Sequence, residues 1–343
     1  MIAGTNKGAA PMQSSEGTVD ISAVRVAVAG CGYWGRNLVR NFAELGVLDA
    51  VCDANAQAAD AMAQTHNTTA RYWQDILDDP RINAVAIATP AATHGEMAGA
   101  AFAAGKHVFV EKPMALDIET AEGLIAAAGA AERALMVGHL LQYHPAFLAL
   151  QELAWVGRLG KLQYIYSNRL NFGKMRHEEN ILWSFAPHDI SMILSLTGTT
   201  PVKVSAVGHS YLQAGVADTT TTHLAFPNGI NAHIYVSWLH PFKDQKLVVI
   251  GENGMAVFDD TQPWSGKLVL YPHKVELGGQ APVAERADAE AIPLIEQEPL
   301  REECAHFLTC VATGETPRTD GAEGLRVLRV LNAAENALAG SNI

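Results

Sequence analysis

Residues 24–35 read VRVAVAGCGYWG. Residues 24–29 predict a central parallel strand covered on both faces, and the strand ends in Gly30. Gly30, Gly32 and Gly35 then stand at the spacing GxGxxG, with Cys31, Tyr33 and Trp34 between them. Leu38, Phe42 and Leu45 follow at helical spacing, and Gly46 supplies a stop. A glycine turn between a buried strand and an amphipathic helix lets backbone N–H groups approach a pyrophosphate, whose charge the helix N-terminus favours. GxGxxG alone is a weak signal. It gains weight from Asp53, eighteen residues after Gly35, at the end of a second strand over 48–52. A carboxylate there accepts hydrogen bonds from a ribose 2′-OH and repels a 2′-phosphate, which selects NAD over NADP. The competing reading of Asp53 is a loop carboxylate that caps a helix.

Outward from this turn, strands and helices alternate. A strand over 83–88 ends in Thr89-Pro90, and a helix over 94–104 is stopped by Gly105. A strand over 107–110 leads into Glu111-Lys112-Pro113, Asp117 can cap a helix running to 132, and 135–137 is one more strand. The alternation predicts an α/β chain whose N-terminal Rossmann domain, a doubly wound parallel sheet, covers 23–143. After Gly138 the pattern changes. His144-Pro145 opens a helix. Within 230–239, Ala232, Ile234, Val236 and Trp238 face one way and Asn231, His233, Tyr235 and Ser237 the other. Pro227-Asn228-Gly229 and Glu252-Asn253-Gly254 are turn signals. Residues 144–343 therefore predict an α+β domain with a large open mixed or antiparallel sheet. Helices near 300–311 and 322–338 close the chain, the last free to pack back on the first domain.

Composition excludes several classes. The 343 residues, 49% hydrophobic and 17% charged, can bury a sizeable core. A formal net charge of -12 argues against wrapping nucleic acid or lying on an anionic membrane. The four cysteines have no CxxC or zinc spacing and read as reduced, buried residues of a cytoplasmic protein. Residues 1–22 are a loose polar tail with no apolar signal-peptide core, and no apolar stretch is long enough to span a bilayer. The 13 histidines show no metal-ligand spacing, so no metal is expected.

Two side chains are candidates for chemistry. Lys112 lies just past a strand's carboxyl end, where open α/β sheets bind ligands, and partial burial would bring an amine toward the working range of an acid/base. A surface ion pair with Glu111 is the bland alternative. His188 follows Pro187, read as a helix start, which places the imidazole in a first turn where the helix dipole keeps it neutral. A capping or core histidine is the alternative there. A basic cluster of Arg158, Lys161, Arg169, Lys174 and Arg176, with Asn171 on the face of Arg169, suits a phosphorylated substrate or, equally, a solvated surface.

The residues 30–35, Thr89-Pro90-Ala91-Ala92-Thr93-His94 and Gly105-Lys106-His107-Val108-Phe109-Val110-Glu111-Lys112-Pro113 together resemble the Gfo/Idh/MocA oxidoreductase family. The resemblance implies that Lys112 and His188 are the catalytic pair, either of them the base. It also implies that Thr89, Pro90, His94 and Glu111 line the dinucleotide site with Tyr33 and Trp34. The family's aspartate four residues before the histidine is Ser184 here. Residues 32–38, 138–145 and 183–189 look like nucleotide-sugar dehydrogenases of bacterial surface-polysaccharide pathways. That likeness implies UDP-N-acetylglucosamine oxidised to its 3-keto form for lipid A biosynthesis, a homodimer or homotetramer, and a partner aminotransferase. Tyr143, Arg169, Asn171, Arg176, Trp183 and Ser184 are the expected substrate contacts. A ketoreductase, an inositol or polyol dehydrogenase, and a non-catalytic NAD sensor are the competing functions.

Overall fold

All four residues of β1 (Val26–Ala29) are buried, as expected of a strand covered on both faces. The computed structural model describes residues 19–340 except 174, 178, 277, 279 and 280. β2 (Leu48–Cys52), β3 (Thr69–Ala70), β4 (Ala84–Ile87), β5 (His107–Glu111) and β6 (Leu135–Gly138) join β1 in a sheet ordered β3-β2-β1-β4-β5-β6. Every neighbouring pair is parallel. The helices α1 (Gly35–Glu44), α2 (Ala56–Thr65), α3 (Trp73–Asp78), α4 (His94–Ala103) and α5 (Ile118–Ala131) alternate with the strands. α5 starts where Asp117 accepts the N–H of Thr120 at 2.7 Å. Helices α2 and α3 have no counterpart in the sequence reading. α2 buries only Ala59 and Ala63, too thin a stripe to register as periodicity. The strand order reverses between β1 and β4, and ligands of such sheets bind at that switch point.

The second half contains α6 (Pro145–Trp155), β7 (Leu162–Phe172) and α7 (Ile181–Thr197), then β8 (Lys203–His209), β9 (Thr219–Ala225) and β10 (Asn231–Ser237). β11 (Leu239–Gly251), β12 (Met255–Asp259) and β13 (Leu268–Tyr271) follow, with short strands β14 (Lys274–Glu276), β15 (Val283–Glu285) and β16 (Glu290–Ala291). An eight-stranded sheet has the order β16-β13-β12-β11-β7-β10-β9-β8. Only β7 and β10 pair parallel within it. The alternation over β10 is real: Ala232, Ile234, Val236 and Trp238 are buried against α6 and α7 in one core. Ser237 departs from the expected solvent face. It is buried, and its hydroxyl donates to the carbonyl of Asp218 at 3.2 Å. On the opposite face Tyr166 stacks on His233, with Tyr164 and His223 tilted against them.

Two closing helices, α8 (Pro299–Thr313) and α9 (Gly321–Gly340), tie the sheets together. α8 packs under the first sheet, with Phe307 edge-on to Phe42 and Phe109, and α9 packs on β6 of the same sheet. α9 packs against both α5 and α7. Pro187 is not a helix start. α7 begins at Asn180, whose side chain accepts the N–H of Trp183, and Pro187 lies inside it. An internal proline costs about 3 kcal/mol or more, and the burial of thirteen of the seventeen residues offsets that. Among the described residues no helix is long and apolar enough to cross a membrane, and no group of three or more His, Cys, Asp or Glu could hold a metal.

Candidate active site

The glycine turn is set by contact distances. Gly30 has φ +97°, and a Cβ there would lie 2.6 Å from the backbone of Ala88. At Gly35 a Cβ would fall 1.8 Å from the carbonyl oxygen of Gly30. Gly32, by contrast, faces open space, with nothing within 4 Å of its Cβ position. The N-terminus of α1 has no side-chain cap. Open space above a turn and uncapped N–H groups fit a pyrophosphate. Asp53 closes the far end: its Oδ2 accepts the N–H of Cys31 at 2.6 Å and its Oδ1 that of Asn55 at 2.8 Å. Asn55, not Asp53, caps α2, so the helix-cap reading of Asp53 is set aside.

Glu111 and Lys112 leave the end of β5 in opposite directions. Glu111 is buried and accepts the indole N–H of Trp34, a bond that crosses from the glycine turn to the β5 end. Burial pushes its carboxyl up to about 6, against the pull of Trp34 and Lys112. Gly138 leaves room for it, since a Cβ there would meet its Oε2 at 2.9 Å. His94 sits beneath the site with both ring nitrogens 2.8 Å from carbonyls, those of Pro113 and Thr89. It is 1% exposed, so it staples the two turns together instead of lining the dinucleotide groove as expected. Thr89 pairs its hydroxyl with that of Thr93 at 2.7 Å, Pro90 is exposed, and Tyr33 is exposed with Arg36 over its ring.

Lys112 reaches across to the second sheet's helix: its Nζ donates to the backbone carbonyl of Ser184 at 2.9 Å. One turn further along α7 is His188. Burial lowers the Lys112 amine, opposed mainly by the Glu179 carboxylate. Burial, then the charges of Lys112 and Arg169, hold His188 well below the ordinary histidine value. The neutral imidazole expected from a helix dipole is therefore produced mid-helix by desolvation and cationic neighbours. Its Nδ1 is buried without a hydrogen-bond partner.

Other expected contacts are dispersed. Arg169 is committed to Asp189, which it meets through Nε at 2.6 Å and Nη2 at 3.2 Å. Arg158 pairs with Glu290, and Lys161 sits eight residues from Arg169 at the other end of β7, roughly 26 Å away on an extended strand. Arg169 and Arg176 thus converge on Lys112 while Arg158 and Lys161 lie apart from them, and Lys174 lies outside the described residues. Arg176, paired with Glu179 at 2.8 Å, acts electrostatically on Lys112. Asn171 is partly exposed at the end of β7. Trp183 packs between the two cores and donates its indole N–H to Glu335 at 3.2 Å. Tyr143 is not at the crevice surface: it is 3% exposed, its hydroxyl 3.2 Å from that of Thr319 and Arg318 over its ring. Residues the reading missed include His139, at the end of β6, whose ring meets His188 edge-on with centroids 6.3 Å apart. Only its place just past a strand end, beside the quoted Gly138, marks it in sequence.

Residues 24–139 match the model of an oxidoreductase family with an NAD-binding Rossmann fold, and residues 147–257 match the GFO/IDH/MocA C-terminal domain. The chain belongs to the Gfo/Idh/MocA family. UDP-N-acetylglucosamine 3-dehydrogenase of Acidithiobacillus ferrooxidans is 30% identical over 89% of this chain and 94% of that protein. Its solved structure superposes with a TM-score of 0.80 at 29% identity, covering 92% and 97% of the two chains. The structure of a putative oxidoreductase from Magnetospirillum magnetotacticum is 33% identical, with a TM-score of 0.80 over 91% of this chain and all of that one. An NAD-dependent scyllo-inositol 2-dehydrogenase of Bacillus subtilis is 27% identical over 92% and 94%. This family member is an NAD-dependent oxidoreductase.

Proposed function

We propose that the chain oxidises a hydroxyl of a nucleotide sugar to a ketone, with UDP-N-acetylglucosamine and its C3 hydroxyl as the substrate and position. The observation that supports the reading is the bond from Lys112 to the carbonyl of Ser184, one turn before His188 on α7. Bound NAD+ supplies the hydride acceptor. The hydroxyl proton is then left to the protein. His188, held neutral by burial and its cationic neighbours, takes that proton through Nε2, the nitrogen other than the buried Nδ1. Lys112 donates a hydrogen bond to the same oxygen and orients it. Arg176 and Asn171, near the crevice end of β7, receive the diphosphate, and the likeness to the Acidithiobacillus enzyme supports that substrate.

A second copy of the chain covers the aromatic sheet face of Tyr164, Tyr166 and His233 in a homodimer or tetramer, and the 3-keto product is suited to a partner aminotransferase in the cytoplasm. The test is NADH formation with UDP-N-acetylglucosamine, other nucleotide sugars and free polyols, with products identified by mass and NMR. Turnover confined to inositols or other polyols overturns the substrate; NAD binding without turnover of any of them overturns the activity.

A further inference from the structure

Behind the crevice lies a chain of buried polar groups that the reading above does not use. His139 Nδ1 lies 2.5 Å from Oε2 of Glu323, in the first turn of α9. Glu323 Oε1 accepts the hydroxyl of Ser191 at 2.6 Å, and Ser191 in turn accepts the amide of Gln142 at 2.9 Å. His139, Glu323, Ser191 and Gln142 are each less than a tenth exposed. A carboxylate bound at Nδ1 fixes the proton there and leaves Nε2 of His139 as an acceptor. His188 stands next to that ring, and its own Nδ1 has no partner. A neutral imidazole that takes a proton at Nε2 must carry its first proton on Nδ1, so His188 holds a buried donor without a partner beside the ring whose Nδ1 is bound to Glu323.

We propose that His139 and Glu323 form a proton path out of His188. This rests on the dehydrogenase reading. As the substrate hydroxyl gives its proton to Nε2 of His188 and its carbon gives hydride to NAD+, Nδ1 of His188 passes its proton through one water to Nε2 of His139. The positive charge comes to rest on His139 beside the Glu323 carboxylate, and the sugar keeps a C=O bond. The direction is set by what surrounds the two rings. Lys112 from the end of β5 and Arg169 from β7 press on His188 with positive charge. Glu111 is tied to Trp34, and the carboxyl of Glu303 on α8, buried with both oxygens unpartnered, is pushed well above the usual range by burial and by Glu111 and Glu323. Glu323 is the carboxylate hydrogen-bonded to a histidine at this spot.

His139 and Glu323 are positioning residues here, so the test needs a signal that lost packing does not produce. With NAD+ and UDP-N-acetylglucosamine, kcat in H2O/D2O mixtures should give a curved proton inventory, two protons in flight. His139→Asn and Glu323→Gln should each lower kcat about tenfold or more, leave KM and NAD affinity unchanged, and make the inventory linear. Added imidazole should rescue a His139→Ala variant. Ser191→Ala, which keeps the carboxylate, should lower the melting temperature and leave the inventory curved. A linear inventory in the unmodified protein, or a curved one in both His139→Asn and Glu323→Gln, overturns the path. Should Glu323→Gln not fold, His139→Asn and the imidazole rescue decide. Should the protein not turn over UDP-N-acetylglucosamine, that is the failure of the substrate reading. The path is then tested without substrate by 15N-histidine NMR of the NAD-bound protein. His139 must carry its proton on Nδ1 and lose that preference in Glu323→Gln, and the same tautomer mixture in both overturns it.

Discussion

The Nζ of Lys112 lies 2.9 Å from the carbonyl oxygen of Ser184, four residues before His188 on the same helix. A side chain from the end of the first sheet is thereby tied to the helix that lies on the second. The acceptor at Ser184 is its backbone carbonyl, not its side chain.

Lys112→Ala and His188→Asn should each lower kcat about 10²- to 10⁴-fold, the range for losing a positioned acid or base. NAD affinity, measured by fluorescence titration, should stay within a factor of about three, because the glycine turn and Asp53 are untouched. Unchanged turnover in either variant removes that residue from its role.

The pH profile follows from the same pair. A base acts when neutral, so turnover is present above the pKa of His188 and is lost as pH falls through it. Because burial, Lys112 and Arg169 lower that pKa, the acid limb of kcat/KM should lie well under the ordinary histidine value of about 6.5. Lys112 is lowered as well, so the alkaline limb should fall below about 10.4. An acid limb above about 7 contradicts the environment described for His188.

Arg169 and Asp189 form a buried ion pair, their side chains 11% and 1% exposed. Removing one partner strands the other, so Arg169→Met should destabilise the fold by about 3–5 kcal/mol in urea denaturation. A loss below about 1 kcal/mol, together with weakened binding of a nucleoside diphosphate, would return Arg169 to the substrate.

Glu111 makes a stability prediction with a definite sign. Its carboxyl is raised in the fold to about 6 from an ordinary 4.5, so it favours folding when protonated. That contribution is full below about 4.5 and is lost as pH rises through 6; the difference corresponds to about 2 kcal/mol. Glu111→Gln should therefore gain about that much at pH 7.5 and almost nothing at about pH 4.5. Denaturation curves showing an equal gain at both values contradict the burial argument.

Asp53→Ser removes the acceptor for two turn N–H groups along with the negative charge. Preference for NAD over NADP should fall at least about tenfold in competition binding, with weaker NAD binding overall. Undiminished preference would place coenzyme choice elsewhere.

Local sequence was enough for the glycine turn and five of the six strands of the Rossmann half and for two hairpins of the second sheet, though not for α2, β3 and α3. Gly30 and Gly35 are imposed by backbone contacts within the turn and with Ala88, and apolar runs such as that of β4 report burial on both faces directly. The same local logic failed at Pro187, which reads as a helix start but lies inside α7, since packing of the surrounding helix outweighs one missing hydrogen bond. It failed again over 158–176, where of the basic residues Arg169 alone lies on β7, turned to Asp189, while Arg158 pairs with Glu290 and Arg176 with Glu179. The meeting of Lys112 with Ser184, of Arg169 with Asp189 and of His139 with Glu323 spans 72, 20 and 184 residues. Periodicity reports the face a residue takes and never the partner it meets. Those partners were fixed only when the helices α7 and α9 closed on the first sheet, because burial there leaves each polar group no choice but another polar group.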